Sequence, residues 1–156
     1  MRRAAPGAPS PSSSPRAGSY VYATGRSSRT SGPSEIGRPE TIEETGELIA
    51  GAGGAASALV VDHEDADSVA ELVAGIERDH GRLDLLVNDI FGGDRYMEWG
   101  KPLWEHDFAG GLRMLQMGVH THLITCRAAI PLMLRTAEAR GSRGGDDRRH
   151  LGGATR

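Results

Sequence analysis

A chain of 156 residues has the length of one ordinary domain, and an apolar share of 38% with 25% charged residues supports a modest core. That balance excludes a fibrous or wholly disordered chain, and no apolar run approaches the roughly 18 residues a membrane helix needs. The net charge of −3 advertises no basic field for nucleic acid, while the lone Cys126 excludes an internal disulfide and fits a reducing cytoplasm.

Residues 1–19 form a Pro/Ser/Ala/Arg stretch without helical or strand period, expected as a disordered leader; Arg2 and Arg3 are not followed by an apolar signal core. Residues 20–24 are β-prone and close at Gly25, which predicts a strand. A polar loop follows, then a helix over 40–50 with Pro39 at its entry and Ile42, Leu48 and Ile49 as apolar positions. Residues 58–61 predict a second, wholly apolar strand. Asp65 then caps a helix whose Val69, Leu72, Val73 and Ile76 follow the i, i+3, i+4, i+7 rule, and Gly81 ends it. Residues 83–87 predict a third strand, followed by a Gly- and Trp-bearing loop to about residue 105. The last helix spans about 107–134 and is expected to bend near Pro131. Residues 135–156, dominated by Arg, Gly and Asp, read as a disordered tail.

Strands alternating with helices, two of the strands strongly apolar, predict a parallel α/β sheet, in which ligands bind beyond the carboxyl ends of the strands. Those ends here are Gly25-Arg26-Ser27, Asp62-His63 and Asn88 to Gly93.

At these strand ends the chain resembles the short-chain dehydrogenase/reductase family over residues 20–134. The stretch Gly81-Arg-Leu-Asp-Leu-Leu-Val-Asn-Asp-Ile-Phe-Gly-Gly93 is similar to the family's fourth strand and Asn-Asn-Ala-Gly turn, with Asp89 replacing the second Asn. Glu98-Trp-Gly-Lys-Pro-Leu-Trp-Glu-His-Asp107 resembles a bacterial subgroup similar to dehydrogenase/reductase family member one. The resemblance implies an NADP-dependent oxidoreductase acting on a small carbonyl or alcohol, and a homo-oligomer formed through the long helix. It places Arg26 and Ser27 against an adenosine 2′-phosphate, Asp62 on the adenine side, Asn88 as a brace of the central sheet, and Gly92 and Gly93 beneath a nicotinamide ribose. A guanidinium suits a phosphate dianion because it makes two parallel charge-assisted hydrogen bonds. Each residue also has a plainer reading: a solvated Arg, a turn or cap Asp, an Asx turn, a glycine turn.

The departures are as informative. The Gly-rich phosphate turn is absent, as are the catalytic Ser and the Tyr-x-x-x-Lys pair; Tyr96 and Lys101 are five apart. The family's relay Asn falls near Gly118, which has no side chain to offer. The fold expected is therefore an incomplete Rossmann-type doubly wound sheet without its first strand and its C-terminal catalytic strands, and no catalytic residue is assigned. Both ends also read as family sequence translated out of frame, because free wobble bases permit a Gly-rich turn before Tyr20 and a further strand near residues 142–153. The alternative function is a noncatalytic remnant that pairs with an intact relative. A metal site through His120 and His122 is disfavoured, since residues two apart on a helix point about 200° apart.

Overall fold

The structure, a computed structural model, describes residues 18–32 and 39–146, the last four of them as backbone. The expected leader lies almost wholly outside the described residues, as does the expected tail beyond residue 146; residues 135–146, expected as disordered tail, are instead helical. Two strands, β1 (Tyr20–Gly25) and β2 (Ala55–Val60), pair in parallel with Tyr20 opposite Ala55 and Gly25 opposite Val60. Between them runs α1 (Ile42–Gly51), so the three make one βαβ unit. The incomplete parallel α/β sheet expected from the sequence is what forms.

The two faces of this sheet differ for reasons legible in the side chains. On one face the residues are small: a Cβ on Gly25 would meet Ile42 Cγ2 at 2.9 Å, and one on Gly46 would meet Ala58 Cβ at 3.3 Å. Helix α1 lies close because nothing larger intervenes. It starts where Thr41 closes a capping box with Glu44, two residues later than Pro39 suggested. On the other face, Tyr20 and Tyr22 stack with His80 at centroid distances of 4.6 and 5.6 Å. Tyr22 donates a 2.9 Å hydrogen bond to Asp79, and burial together with this bond pushes its phenol up to about 12. Both partners end α2 (Ala66–His80), which Asp65 caps and Gly81 terminates in the left-handed region at φ 64°.

The third strand is the departure. Residues 83–87 join no ladder among the described residues, and the sheet has two strands. The segment is nevertheless extended. The Leu83 amide donates to Thr136 Oγ1 at 3.0 Å, and the Asn88 amide donates to Cys126 Sγ at 3.4 Å. Five residues of chain thus cover the length of ten helical residues, about 15 Å, which needs close to the full strand rise per residue. The sequence makes a strand here, but no neighbouring strand meets its edge. Its second face shows the same vacancy of packing, with Leu85 and Val87 about three-quarters exposed.

The long C-terminal helix comes in three pieces: α3 (Phe108–Leu115), a π-turn (Gln116–His120) and α4 (Thr121–Asp146). The interruption lies at this π-turn, which the apolar period does not betray, and α4 is assigned as helix through Pro131 and past Leu134 to Asp146. Met117, Thr121, Thr125, Ala129, Leu132 and Thr136 form its buried stripe. The three threonines are tolerated there because each returns its hydroxyl to the carbonyl four residues back. Among the described residues no helix is long and apolar enough to cross a membrane.

Candidate functional site

Beyond the carboxyl ends of β1 and β2 the sequence-derived residues meet only in part: Arg26 reaches Gly92, while Ser27, Asp62 and Asn88 have separate partners. Gly25 hands the chain to Arg26, whose side chain reaches across the strand ends. One of its guanidinium nitrogens lies 3.4 Å from the position of a Cβ on Gly92. Another lies 3.8 Å from Glu64 Oε1. Glu64 also accepts a 2.8 Å hydrogen bond from Arg113 of α3 through Oε2. The three side chains are about a quarter exposed, and Glu64 Oε1 is shut from water without a hydrogen-bond partner. Glu64 and Arg113 were not singled out by sequence; an isolated Glu in a strand–helix turn and an Arg in a helix carry no spacing signal.

Ser27 is held through its backbone, its carbonyl accepting from the Ile42 amide at 3.1 Å. The hairpin beyond it is pinned by buried Ser28, whose amide and carbonyl both bond Gly32. Asp62 is exposed and its Oδ1 accepts from the Glu64 amide at 3.0 Å, an Asx turn that shapes the exit of β2. Asn88 turns away from the strand ends to Cys126, while its carbonyl faces His122 Nε2 at 3.3 Å. Gly92 and Gly93 are both buried. A Cβ on Gly93 would lie 2.7 Å from the Phe91 ring and 3.0 Å from Met114, so glycine is required by close packing. A Cβ on Gly118, where the resemblance expects the relay residue, would lie 3.6 Å from the same ring.

His63 sits under the site. Nδ1 faces Thr125 Oγ1 at 3.0 Å and Nε2 faces Thr24 Oγ1 at 2.9 Å. Thr125 spends its own proton on the Thr121 carbonyl, so it accepts from His63, and the imidazole carries its proton on Nδ1. Burial holds His63 below its ordinary value of 6.5; the Asp62 charge opposes this and the Arg26 charge assists it. Tyr96 and Lys101 have separate partners, Arg95 and Glu98. Among the described residues no three His, Cys, Asp or Glu side chains are grouped to hold a metal ion.

What the arrangement can do is hold an anion. The residues fit the phosphate-bearing end of a nicotinamide dinucleotide in part: the Arg26 guanidinium lies beside buried Gly92, and it and Arg113 flank the Glu64 carboxylate. They supply no pyrophosphate cradle: among the described residues, the helix after β1 starts at a Thr41 capping box sixteen residues beyond Gly25, with no Gly-rich turn leading into it.

The described residues form part of a parallel, Rossmann-like α/β domain. The fold is that of the short-chain dehydrogenases/reductases. The chain is similar to a short-chain dehydrogenase from Mycobacterium thermoresistibile (26% identity, TM-score 0.59, covering 73% of this chain and 38% of the other). A metagenomic short-chain oxidoreductase solved with NADP matches at 23% identity and TM-score 0.55, over 76% of this chain and 47% of its own. An NADH-dependent reductase solved with NAD matches at 19% and 0.59, over 80% and 46%. The chain therefore spans less than half the length of these structures. No protein-family model matches it, and no curated protein sequence does.

Proposed function

We propose that this chain is the nucleotide-facing part of an NADP-type short-chain dehydrogenase/reductase, and that the 156-residue chain itself transfers no hydride. The observation that carries the reading is Arg26, which leaves the carboxyl end of β1 and lays its guanidinium over Gly92. Ligands of parallel sheets bind at this end, and a fixed cation there selects a phosphate-bearing nucleotide. Residues 20–134 carry the partial domain on this reading, and helix α4 continues it to Asp146; the substrate class is a small carbonyl or alcohol, and the compartment a reducing cytoplasm. Among the described residues Tyr96 is not set beside Lys101 as a proton-donating pair would be: its hydroxyl accepts from Arg95, while Lys101 donates to Glu98. Following NADPH and NADH absorbance with a panel of ketones and aldehydes should show no decay above the protein-free rate. Turnover that copurifies with the chain and disappears on Tyr96→Phe would contradict this.

A second reading, self-association as a binding module, is favoured by one feature of the long helix. Phe108, Leu112, Leu115, Val119 and Leu123 recur at spacings of three and four and are all exposed. Such a stripe is the seam along which two helices pack. Sedimentation should give a dimer that Leu115→Glu dissociates; a monomer at every concentration would remove this reading.

A further inference from the structure

Glu64 lies between two guanidiniums from different elements, Arg26 beyond β1 and Arg113 on α3. Its Oε2 receives a hydrogen bond from Arg113, but Oε1 is buried, 3.8 Å from Arg26 and without a hydrogen bond. One carboxylate oxygen is thus satisfied and the other is held near a cation without being bonded to it. A tetrahedral phosphate offers three acceptor oxygens on a larger radius and can accept from both arginines at once, where a carboxylate at this distance bonds one. We propose that Arg26 and Arg113 together form a phosphate-binding site that Glu64 occupies as an internal anion, so that Glu64 sets its affinity by competing with the ligand. The proposal shares Arg26 with the cofactor reading but requires no dinucleotide. It assigns Arg113 and Glu64, which that reading leaves unused.

The physical consequence follows from charge. Replacing Glu64 by Gln keeps the shape and removes one negative charge from between two half-buried guanidiniums, whatever their other partners. The positive field at Gly92 then rises, and an incoming phosphate no longer displaces a carboxylate. Glu64→Asp keeps the charge but withdraws it by one methylene, and should fall between the two.

Inorganic phosphate and 2′,5′-ADP are titrated calorimetrically against the chain, with helix content checked by circular dichroism. Glu64→Gln should bind both probes at least about tenfold more tightly than the parent, equivalent to 1.4 kcal/mol or more. Glu64→Gln/Arg113→Met should lose that gain. If the Gln variant does not fold, Glu64→Asp with and without Arg113→Met decides in the same way. Affinities unchanged by either Glu64 substitution, or a gain that survives Arg113→Met, would overturn the proposal. Tighter phosphate binding with no preference of NADP over NAD would uphold this site and sink the cofactor reading. A preference for NADP lost on Arg26→Ala but untouched at Glu64 would do the reverse.

Discussion

His63 links both strands of the sheet to the long helix, and its protonation state follows from two threonines. Because Thr125 must accept from Nδ1 and Thr24 can donate to Nε2, the folded protein holds the neutral ring. The charged ring would carry its charge into a buried place, which is why its pKa is held below 6.5. The unfolded chain keeps the ordinary value and so binds the proton first as pH falls. Stability from this site is therefore complete above 6.5 and declines below it until the folded value is passed. Urea midpoints measured from pH 7.5 to 5 should fall more steeply for the parent than for His63→Gln; equal slopes would contradict the assignment. None of this was legible in the sequence. His63 follows an apolar run and precedes a helix cap, and its partners lie 39 and 62 residues away. Arg26 was legible because strand context alone places it, whereas Arg113 becomes part of the site through the packing of α3, which no local pattern encodes.

At the scale of elements, α2 was readable from end to end. Asp65, the apolar period and Gly81 each act within a few residues, and all three appear where expected. The apolar run of β1 was readable for the same reason, whereas β2 begins at Ala55, three residues before the apolar run 58–61, and ends at Val60. Residues 83–87 show where that reading stops: sequence makes a segment extended, but a ladder needs a partner with free edges. Here the extended run is held by side chains of α4 at its two ends, with Leu85 and Val87 open to solvent between them. Amide hydrogen exchange separates the two conditions. The amides that join β1 to β2 should be protected, while those of residues 85–87 should exchange like open chain. Equal protection of both would show that the segment is paired after all. The π-turn at Gln116–His120 was hidden for a different reason, since one extra residue in a helix preserves an apolar stripe on each side of the insertion.

At the scale of the whole molecule, what is present is one βαβ unit, a second helix, an extended segment and a long helix that backs them. These parts bring together the strand ends where a nucleotide would lie, and they place two arginines and two glycines there. Sequence singled out the strand ends, Arg26 and the two glycines; Arg113 joins them only through the packing of α3. On the proposed function, the assembled strand ends discriminate a phosphate-bearing nucleotide through Arg26. Calorimetric titration of the chain with NADP and with NAD tests it most directly. NADP should bind more tightly, and Arg26→Ala should remove roughly 1–3 kcal/mol of that binding while leaving NAD nearly unchanged. Equal affinities of the parent chain for the two nucleotides would contradict the account.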